Sequence, residues 1–388
     1  MVGEKDIGPE SLAGTLETAL GCTFSSGNRI EVLRNGVEIF PPMLEAIERA
    51  AETIEFLTFV YWSGAIARRF AHALAGAAGR GVCVRVLLDA VGAAKMDPEL
   101  VRLMRDAGAE VVWFRPLRRF RFWANNERTH RKLLICDGRV AFTGGVGIAA
   151  EWEGDARNPE EWRDTHFRVE GPAVAALRSG FIGNWAETRT RTRFARTPRA
   201  AAEPGSAHAL VVRSVASQHW SDIATALRPL LHAATTRLRI TTPYFVPDVT
   251  LVEDLAAVAR RGARVTILTS GRYHDHPVAR YAGQRHYQPL LAAGISIYEY
   301  DRTMLHAKVI TMDGHWSCIG SANLNQRSLG KDDEICLICD DASLAERLDR
   351  DFDEDLEHAR EIDGGSWRER GWRQRAKEWL SGLVDANF

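Results

Sequence analysis

From residue 43 onward the apolar positions follow two alternating rhythms. Met43, Leu44, Ile47, Ala50, Ala51 and Ile54 fall on one helical face, and an apolar stretch from Phe56 to Tyr61 follows. Ile223, Leu227, Leu230, Leu231 and Ala234 repeat the helical spacing ahead of Leu238 to Thr242, with Pro229 expected to kink or delay that helix. Each half continues with a strand pattern after a helix, Gly81 to Leu88 in one and Gly262 to Leu268 in the other. Helix alternating with strand predicts an α/β fold in which helices cover the sheets. The chain has 388 residues, enough for two domains that each bury a core. The expected division is an N-terminal segment 1–27, a first domain 28–187, a linker 188–206 rich in Arg, Thr, Ala and Pro, a second domain 207–362, and a basic amphipathic segment 363–388.

The repetition extends to chemistry. Thr129-His130-Arg131-Lys132-Leu133-Leu134-Ile135-Cys136-Asp137-Gly138 is echoed by Leu305-His306-Ala307-Lys308-Val309-Ile310-Thr311-Met312-Asp313-Gly314. Both read His-x-Lys-x4-Asp, both reach Gly-Gly or Gly-Ser (Gly144-Gly145, Gly320-Ser321), and matched positions are offset by 176 residues (306 − 130). The apolar runs predict strands, on which residues i and i+2 share a face, so each His lies beside its Lys. The Asp lies an odd number of positions from the His and precedes Gly, a turn signal. His and Lys therefore read as the chemical pair and Asp137 and Asp313 as mainly turn-forming. A surface strand carrying a chance His and Lys would explain one such match, but it explains two in register poorly.

These motifs resemble the phospholipase D superfamily, whose signature is His-x-Lys-x4-Asp-x6-Gly-Ser-x-Asn. The second copy matches in full, through Gly320-Ser321-Ala322-Asn323; the first departs after Gly144, with Gly145 for Ser and Gly147 for Asn. Thr242-Pro243-Tyr244-Phe245-Val246-Pro247-Asp248, Ile297-Tyr298-Glu299-Tyr300 and Asn35-Gly36 look like bacterial cardiolipin synthases, in which Leu57 would usually be Glu. The resemblance spans about Gly27 to Ile362 and implies a duplicated phospholipase D-like fold, two mixed sheets flanked by helices about a pseudo-twofold axis.

The same resemblance implies the site. Its catalytic motif comprises His130, Lys132, Asp137, His306, Lys308 and Asp313, with His130 as nucleophile and His306 as acid/base. Lys132, Lys308 and Asn323 would bind phosphate oxygens, supported by Ser321 and, in the first copy, by the backbone around Gly144 and Gly145. Acidic residues downstream of each His, Asp164 and Glu334, are expected to orient the imidazoles. The implied reaction converts two phosphatidylglycerols to cardiolipin and glycerol through a phosphohistidine. The alternatives are a phospholipase D or other phosphodiesterase using water, and a non-catalytic scaffold, which the retention of both His-Lys pairs disfavours.

Composition narrows the partners. A net charge of −1 argues against a bulk polyanion binder, so no nucleic acid is expected. The expected partners are an anionic phospholipid and a membrane surface. The cassettes offer cations and imidazoles, so no metal or other cofactor is expected. The six cysteines form no disulfide framework, and Cys336-Leu337-Ile338-Cys339 places its sulfurs on opposite strand faces. Neither a signal peptide nor an apolar membrane span is evident, so the expected location is cytoplasmic, peripheral on the inner face of a bacterial membrane. Two stretches suit a lipid interface: Pro116-Leu117-Arg118-Arg119-Phe120-Arg121-Phe122-Trp123, extra to the first half, and a C-terminal helix with Trp372, Ala376, Trp379, Leu380 and Leu383 on one face. The first reads equally as a solvated loop; the second fits a helix docked on its own core slightly better, because such helices are commoner. Gly145-x-Gly147-x-x-Ala150 mimics a dinucleotide fingerprint, but its cassette explains it better. His274, His276 and His286 read as surface or supporting residues.

Overall fold

The computed structural model describes residues 9–116, 127–188, 190, 194, 204–218 and 220–381. Most of the aromatic-basic insertion, most of the linker and Leu383 lie outside the described residues. In chain order the strands are β1 (Ser25–Arg34), β2 (Thr53–Thr58), β3 (Cys83–Asp89), β4 (Glu110–Phe114), β5 (Arg128–Thr129), β6 (Leu133–Cys136), β7 (Val140–Gly144) and β8 (Thr165–Glu170) in the first half. The second half adds β9 (Ala207–Val215), β10 (Trp220–Ser221), β11 (Arg237–Thr241), β12 (Arg264–Ser270), β13 (Ser296–Tyr300), β14 (Val309–Met312), β15 (Trp316–Gly320), β16 (Asp332–Asp333), β17 (Ile335–Asp340) and β18 (Ala359–Glu361).

The duplication read from the sequence is a duplication of sheet order. The first half runs β4-β3-β2-β6-β7-β8-β1 and the second β13-β12-β11-β14-β15-β17-β9, with β18 added outside β13. In both, the three outer strands are parallel and the remainder antiparallel. The halves meet where β1 pairs antiparallel with β9, Ser25 opposite Ala209 and Asn28 opposite Ala207. Instead of two separate sheets, one mixed sheet of sixteen strands therefore runs through the molecule. Strand Ser25–Arg34 also begins before the expected boundary at 28, because its first residues make this junction.

Packing unites the halves further. On one side, helices Asn35–Arg49, Ala65–Gly79 and Pro98–Asp106 bury Ile39, Phe40, Ile47, Phe70, Leu74 and Met104 over the first half. Helices Asp222–His232 and Val249–Arg260 do the same over the second, joined by Leu12 and Leu16 of the N-terminal helix Pro9–Leu20. The Asp222–His232 helix passes through Pro229 without ending, capped by the Ser221 side chain on Ala224 N. On the other side, helices Ala173–Glu187 and Ala342–Leu356 share one core, in which Leu177, Phe181 and Trp185 meet Ala209, Ile335 and Leu337 across the junction. Each such large side chain contributes about 1.5–3 kcal/mol by burial, so the halves are not energetically independent. Cys336 lies in the second-half core and Cys339 in the shared core, on opposite faces of β17 as its alternation requires.

The C-terminal helix Trp372–Ser381 docks through its polar side. Gln374 donates to Gln284 Oε1 (2.7 Å) and Lys377 to the Tyr281 hydroxyl (3.2 Å), both on helix Pro277–Gln284. Trp372, Trp379 and Leu380 face outward, 75%, 66% and 57% exposed. The apolar face expected to dock on the core is the face turned away from it.

Candidate active site

Short strands that cross between the halves build the centre. β5 pairs in parallel with β16, Thr129 opposite Asp333, and His130 N donates to Asp333 O (2.9 Å). The corresponding crossing is a bridge between Arg163 and Leu305, with His306 N donating to Arg163 O (2.7 Å). Each histidine thus enters beside the residue preceding the other half's carboxylate. The consequence is an exchange: His130 Nδ1 lies 2.9 Å from Glu334 Oε1, and His306 Nδ1 lies 2.7 Å from Asp164 Oδ2. Asp164 and Glu334 each hydrogen-bond an imidazole, but that of the opposite half and not the one upstream in their own. Counting along one chain could not show this, because the pairing is made by strands that cross.

With Nδ1 bound to a carboxylate, each ring carries its proton there and turns Nε2 elsewhere. Both rings line one cavity of about 630 Å³. Burial lowers the affinity of His130 for a second proton, as does Lys132, against the pull of Glu334. Burial and Lys308 press His306 down to about 4. Asp164 and Glu334 stay below the ordinary carboxyl range despite their burial, because His306 and His130 hold them as anions. Lys132 donates to His130 O (2.7 Å), and Lys308 to His306 O while lying 3.1 Å from His306 Nε2. Burial lowers these lysines to about 7 and about 8.

Asn323 reaches the same cavity; its Nδ2 has only a long bond to Ser328 Oγ (3.4 Å), and its buried Oδ1 has no protein partner among the described residues. Ser321 does not face the cavity. Its hydroxyl donates to Glu334 Oε2 and accepts from Ile335 N (3.1 Å), so it holds the carboxylate rather than touching phosphate. Gly144 is paired with His166 in the β7–β8 ladder, and the Gly145 amide donates to Thr165 O (3.3 Å). The Gly145 amide is therefore taken by the sheet and is not left to bind phosphate.

Asp137 and Asp313 lie at the far ends of their strands, away from the cavity. Asp137 accepts from the amides of Ala51, Glu52 and Thr53 (2.8–3.0 Å), and Asp313 from those of Thr235, Thr236 and Arg237 (2.7–3.0 Å). Both have positive φ, +54° and +52°, at the turns before Gly138 and Gly314. Their inclusion in the catalytic set is corrected to a turn-forming role. Leu57 packs in the shared core with Leu87 and Leu133, so its departure from Glu does not alter the cavity.

Several lining residues escaped the sequence reading. Phe59 packs edge-on to His130 (5.4 Å between ring centres) and lies under the Lys132 ammonium (5.7 Å). Tyr244 stands edge-on to His306 (6.2 Å) and donates to Asp275 (2.7 Å), so the Thr242–Asp248 motif acts through its tyrosine. Trp62, Trp152 and Trp162 complete an aromatic wall, while Arg128, Asn325 and Arg327 make a polar one. Of the three histidines first read as surface or supporting, His276 lines the cavity, and His274 is buried against the Tyr244 ring. Asn35-Gly36 also finds its purpose: Asn35 N donates to Asp164 O (3.0 Å), and Asn35 Oδ1 accepts from Asp164 N (3.3 Å).

Paired His-Lys motifs at the junction of a duplicated mixed-sheet fold define the phospholipase D class of phosphodiester-processing enzymes. Within that class the chain belongs to the cardiolipin synthase, PLD-like domain family, whose model matches residues 43–152 and 227–356. It is 33% identical to the cardiolipin synthase of Geobacillus thermodenitrificans (strain NG80-2) over 365 residues, 93% of this chain and 72% of that one. Against cardiolipin synthase B of Salmonella typhi it is 33% identical over 332 residues, covering 84% and 80%. Among solved structures, a phosphatidylserine synthase from Haemophilus influenzae Rd KW20 superposes with a TM-score of 0.74 at 15% identity, over 97% of this chain and all of that one; that likeness is one of fold. The protein is therefore an enzyme of the phosphodiesterase and phosphatidyltransferase kind.

Proposed function

We propose that this enzyme transfers a phosphatidyl group from one phosphatidylglycerol to another, giving cardiolipin and glycerol. The observation that carries the reading is the pair of imidazoles facing one cavity, each held through Nδ1 by a carboxylate of the other half. His130 Nε2 attacks phosphorus, and the bond to the glycerol oxygen breaks as His306 gives that oxygen a proton. His306 then takes the proton of the second lipid's hydroxyl, whose oxygen attacks phosphorus and releases His130. Lys132, Lys308 and Asn323 hold the phosphoryl oxygens, and the anionic phosphodiester raises the proton affinity of both lysines and of His306. The aromatic wall suits the apolar part of a lipid. The outward Trp372, Trp379 and Leu380, flanked by Arg373, Arg375 and Lys377, suit an anionic membrane surface. Among the described residues no helix is long and apolar enough to cross a membrane.

One observation favours the reverse division of labour: Lys308 lies 3.1 Å from His306 Nε2 and, with burial, keeps that ring neutral, as a nucleophile must be. Trapping separates the two. The enzyme is mixed with labelled phosphatidylglycerol vesicles, denatured without acid and digested, while the lipid products are resolved by mass. Label on the His130 peptide and formation of cardiolipin are expected. Label on the His306 peptide reverses the roles, no label defeats the covalent scheme, and phosphatidic acid as sole product makes the enzyme a hydrolase.

A further inference from the structure

We propose that Trp152 is a positioning residue for His306, its indole N–H giving Asp164 the side-chain hydrogen bond that the Ser321 hydroxyl gives Glu334 in the second half. The proposal rests on His306 working as a proton-transfer or nucleophilic group at a phosphodiester. In the second half, Glu334 receives His130 on one oxygen and Ser321 on the other. The 176-residue offset maps Ser321 onto Gly145 and Asn323 onto Gly147, so the first half has no hydroxyl to give Asp164. Trp152 Nε1 donates to Asp164 Oδ2 at 2.8 Å, the same oxygen that His306 Nδ1 approaches at 2.7 Å.

The two glycines and the tryptophan form one substitution. A Cβ at Gly145 would lie 2.2 Å from Asp164 Oδ1, so a serine does not fit while Asp164 stands where the Thr165 amide on Oδ1 (2.8 Å) and the Trp152 indole on Oδ2 hold it. A Cβ at Gly147 would meet Val60 Cβ at 2.7 Å and Trp152 Cζ3 at 3.1 Å, so the indole occupies part of the space that an asparagine would need. Trp152 is 2% exposed and is fixed by edge-on contacts with Trp162 (4.5 Å) and His306 (5.4 Å). An indole N–H is a donor only and cannot rotate independently of its ring, unlike a hydroxyl. It therefore fixes the carboxylate direction and withdraws part of the negative charge that the His306 proton would otherwise meet. The other groups facing His306 are Lys308, Lys132 and the Tyr244 ring, none of which changes when the indole N–H is removed.

The test installs β-(3-benzothienyl)alanine at position 152, which keeps the outline and replaces N–H by sulfur, alongside Trp152→Phe. The His306 ring is titrated by 15N NMR of histidine-labelled protein, assigned through His306→Ala, and phosphatidylglycerol turnover is measured in parallel. With the N–H gone, the His306 pKa should rise by about one unit. Turnover should fall roughly ten- to a hundredfold, the scale of one hydrogen bond to a charged group, with KM little changed. Unchanged titration and turnover in the benzothienyl protein would overturn the proposal and leave Trp152 as packing alone, whether or not the Phe variant folds. Because the titration needs no turnover, an inactive wild type would count against the proposed function and leave this test standing.

Discussion

Two buried lysines beside two buried imidazoles make the cavity reluctant to hold its full positive charge. Lys132 and Lys308 sit at about 7 and about 8 because burial penalises the ammonium, and an anionic phosphodiester compensates that penalty. Binding of inorganic phosphate or short-chain phosphatidylglycerol should therefore take up protons between about pH 7 and 10, as both lysines regain their charge. Calorimetry in buffers of different ionisation heat measures this; no uptake would mean that the lysines are already charged. Asn323→Ala should lower turnover roughly 10²–10³-fold, as for removal of one donor to a transition-state oxygen, without changing the melting temperature by more than a few degrees. The histidines, lysines and Asn323 were legible as residues because the chain states them twice or in full motif. Phe59, Tyr244 and the tryptophans were not, since an aromatic in a cavity and one in a core have the same sequence pattern.

At the scale of elements, each cassette aspartate ties a turn to the start of a neighbouring strand. Asp313 closes three backbone amides and the hydroxyls of Thr235 and Thr236 at the entry to β11, and its carboxyl is held below the usual range although half-buried. Asp313→Ala should lower stability by about 1.5–3 kcal/mol, the scale of a hydrogen bond to a charged group, while the folded fraction keeps its turnover. Denaturant melts paired with turnover per folded molecule distinguish this from a catalytic role, in which turnover would collapse at full folding. The turn role was readable from Asp-Gly between apolar runs. The strand crossing that exchanges Asp164 and Glu334 was not, because β5 and β16 are two residues each and owe their pairing to the opposite half.

For the molecule as a whole, buried neutral histidines set an acid limit. His166, His274 and His306 lie at about 3, about 4 and about 4, below the ordinary 6.5, chiefly through burial. Between those values and 6.5 the unfolded chain binds more protons than the folded one. Their contribution is therefore complete above pH 6.5 and is lost as pH falls toward 4, at up to about 1.4 kcal/mol per unit for each group. Denaturant midpoints should hold from pH 8 to about 6.5 and fall from there to pH 4, and His166→Gln should flatten that slope by one group's share. Exhaustive EDTA treatment should leave turnover unchanged, since the proposed chemistry uses imidazoles and ammonium groups; loss of activity restored by one metal would refute that.

The sequence by itself determined the duplication, the α/β alternation, the His-Lys pairs and the turn aspartates, because these follow from local spacing on strands whose periodicity is two. Tertiary structure alone decided that the two sheets are one, that each carboxylate serves the opposite histidine, and that Trp152 donates to the carboxylate whose half lacks the serine. All three depend on which strands cross at the junction and on how Asp164, Val60 and Trp152 pack against Gly145 and Gly147. Hydrogen-bond direction and free volume are properties of the packed chain, and no spacing along it encodes them.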